Sequence, residues 1–130
     1  MKEPRWADRH TLLLLHEEIL AEHGGLPGLR DPGLLDSALA RAKNLFAYNE
    51  ACDLAELAAA CAFGISQNHP FRDGNKPVAF LSVGLFLGLN KAQLVASQRE
   101  AIEAFFALAA GKLPEAHLAA WIRSRMKPSR

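Results

Sequence analysis

Residues 53–89 read DLAELAAACAFGISQNHPFRDGNKPVAFLSVGLFLGL and contain two apolar segments joined by a short polar turn. Asp53 and Glu56 have the spacing of a capping box, which predicts that a helix begins there. Because a proline disfavours the helical conformation in the residue before it, Pro70 predicts that this helix ends near Asn68. The apolar positions between them recur at the interval of one buried helical face: Leu54, Leu57, Ala58, Cys61 and Ile65.

The second apolar segment predicts a helix from about Asn75 to Leu89. This helix is apolar almost all round, which is typical of a helix at the centre of a bundle. Its apolar run from Val78 to Leu89 is well short of the ~20 residues needed to cross a bilayer. We therefore expect a buried helix rather than a membrane span.

Start and stop signals predict further helices on both sides of this pair. They run over about 8–23 up to Gly24, from the Asp31 cap and Pro32 to about Arg41 or Lys43, from Ser97 to Gly111, and from Pro114 onward. In the helix that Ser97 opens, one face is expected to carry Ile102, Phe105, Phe106 and Ala109. Residues 44–52 lack a helical pattern and are predicted to form a loop or a short extended piece. The expected architecture is an all-α bundle of about six helices in a single domain over 1–130.

The composition excludes several classes of protein. The chain has 130 residues, of which 50% are hydrophobic, and a net charge of +1. Such a balance argues against direct DNA binding and against a membrane-surface protein. Cys52 and Cys61 show neither zinc-site nor disulfide-framework spacing, and no secretory signal is visible, so we expect a cytoplasmic protein. The basic tail is expected to complement the last helix dipole and to fray: Arg123, Arg125, Lys127 and Arg130.

The turn from His69 to Lys76 carries the residue types that phosphate chemistry needs. The start of a helix presents unpaired amides, and Gly74 lets a ligand approach the main chain without meeting a Cβ. Lys76 is unfavourable beside the positive end of the helix dipole unless an anion is bound. Asp73 offers a carboxylate for Mg²⁺, and His69 offers a proton acceptor for an attacking hydroxyl. Together they predict phosphoryl or nucleotidyl transfer.

Each of these residues also has a plain structural interpretation. Asp73 and Gly74 can be a simple turn, His69 a helix C-cap and Phe71 a plug in the core. The Gly-Asn-Lys run is not a Walker loop, because that loop's glycine spacing and its Ser or Thr are missing.

The histidines and arginine of the N-terminal region point to structural roles. His10, His16 and His23 give at most one pair of metal ligands, and Leu20 stands where a zinc-protease helix would need its second histidine. We therefore expect no metal there. Arg30 is predicted to be a structural ion-pair partner rather than a ligand.

The run HPFRDGNK at residues 69–76 resembles the signature of the Fic/Doc family. The lysine after Asn75 resembles the death-on-curing (Doc) toxin branch rather than the Fic branch, which has Gly then Arg. The resemblance covers roughly residues 6 to 110 and includes further segments similar in order and spacing, at residues 23–31, 34–39 and 54–60.

The resemblance implies an all-α Fic fold, with this loop between the third and fourth helices, that uses ATP and Mg²⁺. Doc-type members transfer the terminal phosphoryl group of ATP to a threonine of elongation factor Tu and so block translation. An antitoxin with a disordered C-terminal tail holds them in check. By position, the resemblance makes His69 the catalytic base, Asp73 the Mg²⁺ ligand, Gly74 and Asn75 the anion-hole residues, and Lys76 a phosphate contact.

One position departs from the family pattern. Doc-like sequences continue with Arg after the lysine, whereas this chain has Pro77. A proline in the first helical turn loses no helical hydrogen bond, so the fold should accept it. It removes a guanidinium that would clamp phosphate, so turnover is expected to be reduced. Two alternatives stay open: transfer of AMP to a protein hydroxyl, and a catalytically silent module that binds an antitoxin.

Overall fold

A computed structural model describes residues 1–129 and arranges them in six helices and two short strands. The predicted all-α bundle is confirmed, with a small two-stranded sheet as an addition. In chain order the elements are α1 (Arg9–His23), α2 (Pro32–Tyr48), α3 (Leu54–Asn68), α4 (Asn75–Leu89), β1 (Ala92–Leu94), α5 (Gln98–Ala109), α6 (Glu115–Arg125) and β2 (Met126–Pro128).

The predicted starts of α2, α3 and α5 are confirmed by capping side chains that accept hydrogen bonds from first-turn amides. Asp31 accepts from the amide of Gly33 at 2.8 Å, which opens α2 with Pro32 in its first turn. Asp53 and Glu56 form a reciprocal capping box at α3. Ser97 forms the corresponding box at α5. Each cap satisfies amides that the first turn of a helix leaves without partners.

The centre of the bundle is α3 rather than α4. Almost every side chain of α3 from Ala55 to Ser66 is buried, and α3 packs between α2, α4 and α6. A Cβ on Gly64 would lie 3.0 Å from the Cα of Ala38, so glycine is what permits the close approach of α2. Helix α4 instead leaves Leu81 and Leu89 exposed. The prediction that α4 is central is therefore wrong, because the small residues of α3 allow closer packing on all sides.

Helix α2 is longer than predicted. It continues to Tyr48, so the expected loop over 44–52 is reduced to its last few residues. The extension is held by Phe46, whose ring meets Trp6 edge-on with 5.9 Å between centroids. Ala42 and Phe46 are four residues apart and continue the helical interval, which explains why the backbone stays helical.

Helix α5 buries a different face from the predicted one. Ile102 is 48% exposed and Phe106 is 57% exposed, and Ala109 is exposed as well. The buried positions are Ala101, Ala104, Phe105 and Leu108. Two of them are alanines, which contribute a weak apolar signal, so only the prediction for Phe105 is correct.

The C-terminal segment is ordered by pairing. Met126–Pro128 forms an antiparallel ladder with Ala92–Leu94. Arg123 pairs with Asp53 at 2.6 Å, and Arg125 pairs with Glu100. The expected frayed tail is therefore wrong for the residues before Arg130, and Arg130 lies outside the described residues. Within residues 1–129, no helix has the length and apolar character that crossing a membrane requires.

Candidate active site

The bend between α3 and α4 is bounded by two residues in the left-handed region. His69 ends α3 with φ 49° and ψ 58°, and its amide donates to the carbonyl of Ile65 at 3.1 Å. Gly74 precedes α4 with φ 84°. A chain that leaves and re-enters helical geometry in this way turns sharply, which brings the end of α3 beside the start of α4. The structure thus gathers His69, Asp73, Gly74 and Asn75 on one bend.

Arg30 fixes the end of α3 from the neighbouring loop. Its Nε donates to the carbonyl of His69 at 2.8 Å, and a terminal guanidinium nitrogen donates to the carbonyl of Asn68 at 2.7 Å. Carbonyls at a helix end lack partners, and a cation there is favourable. Arg30 has a structural role, but the predicted ion pair is wrong, because its partners are backbone carbonyls rather than a carboxylate.

Phe71 and Asn75 lock the middle of the bend. Phe71 is 1% exposed, as expected for a plug in the core. The side chain of Asn75 accepts from the amide of Phe71 and donates to its carbonyl, both at 2.9 Å. That side chain is fully engaged within the bend. The backbone amide of Asn75, which has no acceptor among the described residues, is then the donor best placed to meet an anion.

The sequence gives no indication that His16 supports this bend. His16 is 3% exposed and its ring stacks on Phe71, with centroids 4.0 Å apart and an angle of 16° between the planes. Its Nε2 lies 2.8 Å from the carbonyl oxygen of Asp73 and, since that oxygen can only accept, Nε2 donates. His16 shares the buried face of α1 with Leu12 and Ile19. Its position in the sequence therefore indicates that His16 is buried, but not which residue it contacts.

The described residues contain no group of three or more metal-ligating side chains. Asp73 contributes one carboxylate at the rim of the bend. Its Oδ2 accepts from the amide of Leu26 at 2.7 Å, whereas Oδ1 accepts no hydrogen bond within residues 1–129.

The loop after α1 is shaped to reach Asp73. Gly25 has φ 122°, and a Cβ there would lie 3.2 Å from the Cβ of Asp73. Both the conformation and the lack of space favour glycine at this position. The contact orients the carboxylate and leaves one oxygen free.

Three backbone amides at the start of α4 have no acceptor among the described residues: those of Gly74, Asn75 and Lys76. The first helical hydrogen bond is donated by Val78 to the carbonyl of Gly74, at 3.0 Å. Pro77 has no amide to offer and breaks no bond, so the expectation that the fold accepts this proline is confirmed. The open amides form the positive end of the α4 dipole, which attracts phosphate.

Lys76 does not direct its ammonium group into this bend. Its Nζ lies 3.3 Å from the centroid of the Phe106 ring on α5. Both residues line one end of a groove of about 850 Å³ between α4 and α5. The sequence predicts that the charge of Lys76 has no partner, but in the structure the face of the Phe106 ring partly compensates it.

The residues of the bend fit a magnesium-bound phosphate chain. Mg²⁺ prefers one or two carboxylates and completes its shell with phosphate oxygens and water. Asp73 supplies one free carboxylate oxygen, and the open amides of α4 supply donors to phosphate. The imidazole of His69 is exposed at the same bend and so can meet a substrate hydroxyl.

Comparisons with known proteins identify a family and two relatives to which the chain is similar. A model of the Fic/DOC family matches residues 6–87, more than half of the chain. The chain is similar to "Protein kinase doc" of Escherichia phage P1, with 37% identity over 83 residues that make up 64% of this chain and 66% of that protein. It is also similar to "Toxin Doc" of Mycolicibacterium smegmatis, with 38% identity over 74 residues, 56% of this chain and 57% of the relative. The matched regions span less than two thirds of either relative.

Proposed function

Because the chain belongs to the Fic/DOC family, we propose that it is a Doc-type toxin that transfers the terminal phosphoryl group of ATP to a protein hydroxyl. The observation that carries this proposal is the bend between α3 and α4. It presents open amides, one free carboxylate oxygen and an exposed imidazole together. The name of the phage relative, a protein kinase, supports phosphoryl transfer over other reactions.

Each residue of the bend has a role in the proposed reaction. The target hydroxyl oxygen forms a bond to the terminal phosphorus as the bond from that phosphorus to the bridging oxygen breaks, and ADP leaves. His69 accepts the hydroxyl proton. The amides of Gly74, Asn75 and Lys76 hold the phosphate oxygens, and the ammonium of Lys76 adds positive charge. Asp73 would hold Mg²⁺, which neutralises phosphate charge when bound.

The proposed target and partner follow from the family resemblance. The target is a threonine of elongation factor Tu, and its modification blocks translation in the cytoplasm. The proposed partner is an antitoxin with a disordered C-terminal tail; the name "Toxin Doc" of the mycobacterial relative supports this pairing.

A label-transfer assay tests the reaction. The chain is incubated with elongation factor Tu and ATP labelled at either the γ or the α phosphate, and we expect only the γ label on the target. His69→Ala should lower the transfer by about 100- to 10,000-fold, as loss of a general base does. His117→Ala is the matched control, because His117 is an exposed histidine on α6, which contributes no residue to the bend. Transfer of the α label would show AMP transfer instead.

Pro77 favours a second candidate, a silent module that binds nucleotide or antitoxin without turnover. A proline there lacks both the amide and the guanidinium that would contact phosphate. We expect Pro77→Arg to raise γ-label transfer by about tenfold or more. Pro77→Ala, which restores the amide alone, should give a smaller gain. ATP binding without transfer in all three proteins would favour the silent module.

A further inference from the structure

The ammonium group of Lys76 has two competing places to rest. In this structure its Nζ lies 3.3 Å from the centroid of the Phe106 ring. The backbone amide of the same residue is one of the three open donors at the start of α4. A lysine side chain is flexible and carries a compact charge that can move between partners. The ammonium group of Lys76 therefore lies against α5, whereas the backbone amide of Lys76 is one of the open donors on the bend.

The aromatic face explains why the lysine rests there. An ammonium in the first turn of a helix is repelled by the positive end of the dipole. The face of an aromatic ring carries partial negative charge and attracts the ammonium. Phe106 therefore supplies, within the protein, part of the compensation that a bound phosphate would supply. The side of the ammonium that faces the ring cannot donate to a phosphate on the bend at the same time.

We propose that Phe106 is a positioning residue that holds Lys76 away from the phosphate site and so lowers the affinity of that site for ATP. This inference rests on the proposed function, because it takes the bend to be where phosphate binds. Binding of a phosphate chain then breaks the contact between Lys76 and Phe106. The aromatic residue acts through the lysine and does not touch the nucleotide.

The place of Phe106 in the fold makes the inference testable. Phe106 is 57% exposed, so replacing it leaves the core intact. Ile102 is 48% exposed, lies one turn away on the same helix and lines the same groove. Ile102→Ala is therefore a matched control that removes apolar surface from the groove and leaves the Phe106 ring in place.

The first experiment follows Lys76 by NMR in the free protein. Protons held above an aromatic ring resonate upfield, so the terminal methylene of Lys76 should be shifted upfield. Phe106→Leu should abolish that shift, and Ile102→Ala should retain it. Addition of inorganic pyrophosphate to the wild type should move the signal downfield. An unshifted signal in the free wild type, or an upfield signal that persists when pyrophosphate is bound, would overturn the inference.

The second experiment measures ATP affinity by calorimetry. Phe106→Leu should bind ATP about two- to fivefold more tightly than the wild type, which is the scale of an exposed cation–π contact. Ile102→Ala should match the wild type. In a Lys76→Met background, Phe106→Leu should have no effect, because the ring then has no charge to hold. Unchanged or weaker binding by Phe106→Leu contradicts the inference.

The two hypotheses fail in different ways. If the wild-type chain binds neither ATP nor pyrophosphate, the proposed function is contradicted. The inference then fails as well, even when the Lys76 signal is shifted upfield, because no phosphate competes with Phe106 for the lysine. A chain that binds ATP equally well with Phe106 or Leu at this position keeps the proposed function and contradicts the inference alone.

Discussion

Helices α3 and α4 have the same length of 15 residues but begin in opposite ways. At α3, Asp53 accepts from the amide of Glu56 at 2.8 Å, and the Glu56 carboxylate accepts from the amide of Asp53. Arg123 completes that start with an ion pair to Asp53. At α4, Gly74 offers no side-chain cap, and the first turn carries the lysine and the proline of the bend.

The difference separates a helix start that stabilises the fold from one that is open to a ligand. Unpaired amides are unfavourable, so an open start needs another source of rigidity. At α4 that source is the inward side of the bend, where Phe71 is buried, Asn75 bonds to its backbone and His16 stacks on its ring. The outward side then keeps its donors free.

The largest expected effect comes from breaking the inward side of the bend. Asn75→Ala removes two hydrogen bonds to the backbone of Phe71 and should lower the free energy of unfolding by about 1–3 kcal/mol. Because the amides then lose their fixed positions, ATP affinity should fall by about tenfold or more. Urea unfolding and calorimetry measure the two effects.

Asn75→Asp is the graded control for this change. Aspartate keeps the acceptor for the amide of Phe71 but loses the donor to its carbonyl. We expect a stability between those of the wild type and the alanine variant. If Asn75→Ala binds ATP as well as the wild type, the bend does not depend on this side chain.

A smaller effect is expected from removing the cap at the start of α3, formed by Asp53 and Glu56 and called the closed start below. Asp53→Ala removes the cap of α3 and the ion pair with Arg123, and should cost about 1–2 kcal/mol of unfolding free energy. ATP affinity should not change, because this end of α3 lies a whole helix away from the bend. A stable Asp53→Ala variant that loses ATP binding would contradict the division between the two helix starts.

Both helix starts are predicted correctly from the sequence. The cap of α3 is formed by residues three positions apart, so the pattern is visible in the sequence and its predicted start is correct. The turn and helix start at Gly74 are equally local, and they too are predicted correctly. The resemblance to the family adds the roles of the bend residues, which the geometry accommodates but which stay proposals.

Contacts between distant segments could not be predicted in this way. His16 meets Phe71 in the bend and Lys76 meets Phe106 on α5, and no local pattern indicates either partner. The same holds for Arg30, whose carbonyl partners lie at the far end of α3. The predicted end of α2 is wrong for the same reason, because Phe46 packs against the distant Trp6. The error in α5 has a different cause, since its buried alanines give too weak an apolar signal to place the face of the helix.

The smallest expected effect is the pH dependence of the closed start. Hydrogen bonding to Arg123 and to the amide of Glu56 lowers the pKa of Asp53 below its ordinary value of 3.8. The unfolded chain therefore takes up a proton more readily, and the stabilisation by this carboxylate is complete above about pH 4 and lost as the pH falls further. Asn caps a helix about as well as Asp but does not ionise. Urea unfolding at about pH 6 and about pH 3 should thus show a smaller loss of stability in Asp53→Asn than in the wild type. The variant should retain part of the loss, because the amides of Ser97 and Thr11 also lower the pKa values of Glu100 and Asp8. Equal losses in the two proteins would mean that the closed start of α3 owes its stability to the cap geometry alone and not to the charge of Asp53.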